Sequence, residues 1–383
     1  SYIMSLIRQS VTFDKKLLDP DALKIVKKIN KSGYEAYLVG GCIRDMLLGC
    51  KPKDFDIATN ATPEQIQNLF KRSRIIGRRF KLVHIMFSAR KFIEVATFRS
   101  AKHNKISTKG MVLRDNCFGS LRDDAFRRDF TINGLYFDIK NSKVIDYVGG
   151  LDDLKVLQIN MIGKPSERFE EDPVRMIRAI RFKVKLNAAI DPKLNKCIVI
   201  NSHLLSNVPP ARLYEEVIKL FHNENSLEIF REISNLGILK YLFSQTQEDS
   251  FITASLVNTS ERIKNGSSVT PAFLFAVFLW SAQNKRFIEL KKKKISRAEL
   301  MIKASEDVIK KQVQQVMMPR WLSSRVKDIW LMQYRLENYN SKKSRELLSN
   351  PRFRMAYDFF VLRSQSIDKH LLAKAEYWTN IQK

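Results

Sequence analysis

The chain has 383 residues, enough for two or three domains each with its own core. A formal net charge of +27 attracts polyanions, so nucleic acid is the expected partner and an anionic membrane surface the competing one. No apolar run is long enough to span a bilayer and no signal-peptide apolar region opens the chain; Cys42, Cys50, Cys117 and Cys197 lack Cys-x-x-Cys spacing, which argues against a zinc site and a disulfide framework and for a reducing cytoplasm.

In chain order, residues 2–10 read as a ragged start. Asp21 to Ser32 carries Leu23, Ile25, Val26 and Ile29 at helical spacing, and Gly33 ends that helix. Glu35 to Val39 is a predicted strand feeding Gly40-Gly41, and Ile43 to Leu48 a short helix whose N-terminal N–H groups suit phosphate. Phe55 to Ala58 is a predicted strand. Thr62-Pro63 starts a helix, with Thr62 as its cap. Strands are predicted over 75–80, 82–87 and 92–98, and a polar, basic loop over 102–115. From Asp172 onward helical periodicity dominates. This pattern predicts an α+β head at 1–150, a helical neck at 151–205 and a helical body at 206–383.

Chemistry concentrates in the head. If Asp54 and Asp56 lie on a strand they share a face, with Cα atoms about 6–7 Å apart, while Phe55 points into a core. Two hard carboxylates facing one cavity suit Mg²⁺ or Mn²⁺ carrying substrate phosphates. Glu94 is a charge inside an apolar strand and needs a cation, a metal or a donor; the plainer reading puts it on a solvent face. Arg127 and Arg128 have the geometry to hold phosphate oxygens, and Asp129 follows them; without the upstream motifs Asp129 reads as a helix cap. Asp172, Arg175 and Arg178 are spaced three apart and read as one helix face. There a carboxylate can accept from an exocyclic amine and an arginine can donate to a ring nitrogen, with an Asp172–Arg175 salt bridge as the pre-ordering contact. Arg78, Arg79 and Lys81 are further phosphate candidates, whereas His84 reads as a packed strand residue and Arg212 as a structural one. In the body, 271–280 reads as a buried helix, and Trp321 and Trp330, each near cations, as core residues with base stacking as the other reading. Lys291 to Lys294 with Arg297, Lys310 and Lys311 form a basic region for RNA backbone.

Four ordered motifs carry a resemblance: Gly40-Gly41-Cys42-Ile43-Arg44-Asp45 with Asp54-Phe55-Asp56; Arg127-Arg128-Asp129-Phe130-Thr131-Ile132-Asn133; Asp146-Tyr147-Val148-Gly149-Gly150; and Glu171-Asp172-Pro173-Val174-Arg175 continuing to Phe182. The stretch 36–220 resembles the class II nucleotidyltransferases, shared by bacterial poly(A) polymerases and CCA-adding tRNA nucleotidyltransferases. Gly77-Arg78-Arg79-Phe80-Lys81-Leu82-Val83-His84 is similar to the poly(A) polymerase branch, and Asn350 to Asp358 resembles that branch too. Gly134, and Cys42-Ile43, depart mildly from the usual pattern.

The resemblance implies a polymerase beta-like head with a mixed sheet, followed by an all-α neck and body. It implies addition of AMP from ATP to RNA 3′ ends without a template, with CCA addition and a catalytically silent RNA-binding protein as the other readings. Asp54 and Asp56 become metal ligands, with Glu94 and Asp129 as further catalytic carboxylates. Gly40, Gly41, Arg44, Arg128, Asp172, Arg175 and Arg178 become nucleotide contacts. A monomer acting on RNA, alongside RNA-decay machinery and away from membranes, completes the expectation.

Overall fold

The computed structural model describes residues 6–100, 118–292 and 294–383. The loop predicted over 102–115, together with Cys117 and Lys293, falls outside them. The chain divides into two compact units: residues 1–168 with 187–194, and residues 169–186 with 195–383. The stretch 151–205, expected as a separate neck, is shared between them.

The first unit is built on eight strands: β1 (Ile7–Ser10), β2 (Ala36–Val39), β3 (Asp56–Thr59), β4 (Ser73–Ile76), β5 (Leu82–Met86), β6 (Phe92–Thr97), β7 (Leu135–Asp138) and β8 (Lys143–Asp146). They form one mixed sheet in the order β1-β8-β7-β2-β3-β6-β5-β4. Only β3 and β6 run parallel within it; every other pair is antiparallel. The ragged start is corrected in part: Ile7 to Ser10 is an edge strand against β8. Its burial shows no alternation, so backbone hydrogen bonding rather than patterning holds it. The predicted strand over 75–80 stops at Ile76. Gly77 adopts φ 101°, and a Cβ there would lie 2.4 Å from the Phe80 carbonyl oxygen, so the chain turns tightly into β5.

One sheet face presents Leu38, Ile57, Val83 and Val95, all buried. The helix α1 (Pro20–Lys31) buries Ala22, Ile25, Val26 and Ile29, spaced for a single stripe. Asp19 caps α1. After α2 (Gly41–Leu47) comes α3 (Pro63–Leu69), whose Thr62 and Gln65 form a reciprocal capping box. The opposite face carries a second cluster. There Val39, Ala58, Phe98, Tyr136 and Ile145 pack with Leu121 and Ala125 of α4 (Leu121–Phe126). A further helix, α5 (Gly150–Lys155), starts on Asp146, whose carboxylate accepts from the N–H groups of Val148, Gly149, Gly150 and Leu151 at 2.9–3.1 Å. A Cβ at Gly150 would lie 2.1 Å from the Thr131 carbonyl oxygen, so this position requires glycine. Strands β9 (Gln158–Ile159) and β10 (Ala189–Ile190) form a small parallel pair.

The second unit is helical. Helix α6 (Pro165–Glu171) leads into it, followed by α7 (Val174–Leu186), α8 (Pro192–Asn201), α9 (Pro210–Phe221), α10 (Ser226–Asn235), α11 (Leu239–Leu242) and α12 (Ser250–Lys264). The rest is α13 (Pro271–Leu290), α14 (Arg297–Gln312), α15 (Arg320–Glu337), α16 (Ser341–Leu348), α17 (Phe353–Gln365) and α18 (Leu372–Asn380). Every residue from Ala272 to Trp280 is buried, as read from the sequence. Trp330 is buried and donates its indole N–H to the Ala276 carbonyl at 3.1 Å. Trp321 departs from the expected core role: it is 46% exposed, with the Arg325 guanidinium 5.1 Å from its ring centroid.

Candidate active site

The acidic pair sits where β3 begins. Asp54 lies in the run-in just before the strand rather than on it. Phe55 is buried and Asp54 and Asp56 are exposed, so the alternation expected of a strand holds through the approach. Asp56 is the register partner of Glu94 on β6 and of Val39 on β2. Cross-strand partners share a face, so Glu94 stands beside Asp56, and the Gly40 turn adjoins it from the other flank. Glu94 is half-buried and lies 3.6 Å from His84 Nε2.

These carboxylates repel one another. The protein surrounding Asp56 and the neighbouring Glu94 and Asp54 push its pKa up from 3.8 to about 6, against the pull of Arg128. Hard oxygen donors crowded together in this way fit a divalent cation, which would relieve the repulsion at Asp56. Among the described residues no group of three or more His, Cys, Asp and Glu forms a closed cage, so the remaining ligands of such an ion would come from substrate and water. Cys42 is a buried filler: burial pushes its thiol up to about 12, and Sγ donates to the Val39 carbonyl at 3.3 Å.

The arginines are organised by a residue that the sequence reading passed over. Asp124 on α4 is 1% exposed. Its Oδ1 accepts from Arg127 Nε at 3.0 Å and from the Arg99 backbone N–H at 3.1 Å. Its Oδ2 accepts from Arg128 Nη2 at 3.0 Å and from the Tyr136 hydroxyl. Burial favours the neutral acid, but Arg128 and Arg127 outweigh it and hold the Asp124 pKa below its usual value. Burial also works against the charge on Arg128, yet Tyr136 and Asp124 raise its pKa. Arg128 Nη1 lies 3.9 Å from where a Cβ on Gly40 would stand, which seats this cation at the glycine turn. Gly40 itself has φ 79°, a region open to glycine.

Arg44 and Asp129 are linked through Asn133. Arg44 is 3% exposed, donates to Asp45 Oδ1 at 2.9 and 3.0 Å and donates from Nη1 to Asn133 Oδ1 at 2.6 Å. Asp129 Oδ1 accepts from the Phe130 backbone N–H at 2.6 Å and from Asn133 Nδ2 at 3.4 Å. The chain Asp45–Arg44–Asn133–Asp129 therefore ties α2 to the Arg-Arg-Asp motif. A Cβ at Gly41 would press the Arg44 guanidinium at 3.2 Å, so the second glycine makes room for this brace. Arg168 Nη2 donates to the Arg127 carbonyl at 2.7 Å and to the Arg128 carbonyl, fixing the same backbone.

Of the three residues predicted on one neck-helix face, Arg175 and Arg178 lie on the helix and Asp172 just before it. Helix α7 starts at Val174, after Pro173, so Asp172 precedes it. Asp172 Oδ1 accepts from the Val174 N–H at 3.2 Å and Oδ2 accepts from Arg212 Nη2 at 2.6 Å. Arg175 pairs with Glu171 at 3.0 Å, and the Arg178 guanidinium lies 5.5 Å from the Phe182 ring centroid. Arg212 thus has a salt-bridge partner, and that partner is the predicted base-reading carboxylate. Arg78, Arg79 and Lys81 are exposed at the tight turn between β4 and β5.

Three family models match the chain: a Poly A polymerase head domain over residues 36–160, a probable RNA and SrmB-binding site of polymerase A over 187–249, and a polymerase A arginine-rich C-terminus over 293–383. Poly(A) polymerase I of Salmonella typhi is 40% identical over 98% of this chain and 85% of its own length. The chain belongs to the poly(A) polymerase family. Poly(A) polymerase I of Escherichia coli O6:H1 is 39% identical, again over 98% of this chain and 85% of its own. A CCA-adding enzyme of Bacillus licheniformis is more distant, at 30% over 70% of this chain and 66% of its own length. Among solved structures, a CCA-adding enzyme in its apo form II superposes with a TM-score of 0.69 at 22% identity, covering 98% of this chain and 88% of that one. The Thermotoga maritima CCA-adding enzyme complexed with tRNA_CCA superposes at 0.66 and 21% identity, covering 98% and 87%. Those likenesses establish the nucleotidyltransferase fold. This poly(A) polymerase family member is a nucleotidyltransferase, and no helix among its described residues is long and apolar enough to cross a membrane.

Proposed function

We propose that the chain is a template-independent polynucleotide adenylyltransferase that transfers AMP from ATP to RNA 3′ ends in the cytoplasm. The observation that carries the chemistry is the Asp56–Glu94 pair on adjacent parallel strands, with Asp54 beside it and Arg128 seated at the Gly40 turn. Asp54 and Asp56 would hold Mg²⁺, or Mn²⁺ in its place. When bound, the ion supplies charge stabilisation for the transferring phosphate and lowers the pKa of the attacking hydroxyl. Glu94 orients that hydroxyl at the RNA end and accepts its proton. The 3′ oxygen bonds to the α-phosphorus while the bond from that phosphorus to the bridging α–β oxygen breaks, and pyrophosphate leaves. Arg128, kept charged by Asp124 and Tyr136, steadies the triphosphate; Arg127, Arg44 and Asp129 hold the backbone that presents it. Asp172 and Arg175 read the base by the same donor–acceptor logic that discriminates base edges elsewhere.

The test is gel-resolved extension of an unstructured oligoribonucleotide with each triphosphate in turn. Repeated AMP addition with little CMP use supports the reading. Addition of C, C and A to a truncated tRNA, with no further growth, overturns it in favour of tRNA end repair. An Asp54→Ala, Asp56→Ala double variant that still extends RNA overturns the residue assignment, and its RNA binding is expected to persist.

A further inference from the structure

The carboxylate face of the sheet continues beyond Glu94, and there no helix among the described residues of the first unit packs on it. Asp56 pairs with Glu94, Glu94 with His84 and His84 with Arg74, one residue from each of β3, β6, β5 and β4 in register. Cross-strand partners share a face, so these four side chains form one row. Three inter-strand steps place Arg74 about 14 Å from Asp56. Beside the row, Phe92 pairs with Met86 and its ring stacks on His84, with centroids 4.1 Å apart and planes at 18°. Phe92 is 50% exposed. The backs of these strands, Ile85, Ile93 and Val95, are buried.

Charge on this margin is of a single sign. Residues 71–81 carry Lys71, Arg72, Arg74, Arg78, Arg79 and Lys81 and no carboxylate. Among the described residues none of these six cations has an ion-pair partner. Charges on an edge strand also prevent edge-to-edge pairing between molecules. That role alone asks neither for one sign throughout nor for an exposed aromatic stacked in line with a reactive carboxylate.

We propose that this open half of the face binds the single-stranded RNA leading into the site. A base stacks on the exposed face of the Phe92–His84 pair, and Arg72 and Arg74 neutralise the adjoining phosphates. The proposal rests on the reading above, since it takes RNA as the acceptor, and it adds a head-domain contact to an RNA-binding role otherwise matched at 187–249. Aromatic stacking tolerates any base, and backbone neutralisation ignores sequence, which suits an acceptor of arbitrary sequence.

The test uses the full chain and a fluorescent, unstructured oligoadenylate, with binding followed by anisotropy across a salt series. Phe92→Ala is expected to weaken binding by about fivefold or more, while Phe92→Tyr keeps it. An Arg72→Ser, Arg74→Ser double variant is expected to lower the slope of log K against log salt by about 1.4, at ~0.7 per phosphate. Unfolding temperatures matching the parent verify that the variants are folded. Parental affinity and slope in both the Phe92→Ala and the double-serine variants would overturn the proposal. So would an RNA affinity left intact alongside a raised KM for ATP, which would give this face to the nucleotide. Binding needs no turnover, so the parent's own ability to extend RNA tests the adenylyltransferase reading separately.

Discussion

Removing the charge at Asp56 while keeping its shape should stabilise the metal-free protein and abolish its response to metal. The pKa of Asp56 rises from 3.8 to about 6 in the folded chain. Between those values the folded chain keeps a proton that the unfolded chain has released, so stability falls as pH rises through that window and stays lower above it. A shift of that size corresponds to about 3 kcal/mol unscreened, at ~1.36 kcal/mol per pKa unit. Asp56 is exposed, and solvent screening reduces the effect to about 1 kcal/mol. Asp56→Asn should therefore raise the unfolding temperature by about 2–4 °C at about pH 8 in a chelator. At about pH 4 the variant and the parent should unfold together, because the parental carboxyl is then mostly protonated in the fold. Added Mg²⁺ should raise the parent's unfolding temperature at the higher pH and leave the variant's almost unchanged. The assay is thermal unfolding at both pH values, with chelator and with Mg²⁺. A variant no more stable than the parent in chelator at about pH 8, or an equal response of both to Mg²⁺, would refute the argument that repulsion at Asp56 calls for a cation.

Asp124→Asn leaves Arg127 and Arg128 without the buried carboxylate that holds them, and should destabilise the fold by about 3 kcal/mol in denaturant titration; kcat/KM for ATP should fall by about tenfold or more in the fraction that remains folded, since charge-assisted positioning is lost. Arg212→Met removes the 2.6 Å partner of Asp172. That exposed pair contributes at most about 1 kcal/mol, so unfolding should shift little, while the ratio of AMP to CMP incorporation should change. A ratio equal to the parent's would detach Asp172 from base choice.

The residues that repeat a pattern were the ones legible in the sequence. Phe55 between two acids signals alternation, and the alternation is there even though the strand begins only at Asp56. Glu94 in an apolar strand signals a charge with a purpose, and it stands beside Asp56. Asp124 escaped because its work is non-local: its partners Tyr136 and Arg99 lie 12 and 25 residues away, and a short helix opened by a Ser120–Asp123 capping box looks like ordinary surface. Strands β7 and β8 and the edge strand β1 escaped for a similar reason, since hydrogen-bonded pairing in the sheet holds each four-residue run. The position of Asp172 was legible and misread. A residue before proline disfavours helical backbone, so Pro173 already marks the start of α7 and puts Asp172 outside it. Trp321 was assigned to the core over base stacking because large aromatics are usually packed, but residue type does not tell which side of α15 faces solvent.

The parallel pairing within the eight-stranded sheet, β3 with β6, has a consequence for how this enzyme can vary. The crossover between them contains α3 and the β4–β5 hairpin, so the two acids are separated by a long detour and meet only after it has closed. The loop-closure entropy of that detour opposes the meeting of the acids, and the pairing of β3 with β6 has to offset it. Lengthening or shortening the detour leaves the acids together, whereas sliding β6 by one residue would swing Glu94 into the greasy underside and bring Ile93 or Val95 up in its place. The length of the detour can thus vary without parting the acids, but the alignment of those two strands admits no intermediate setting.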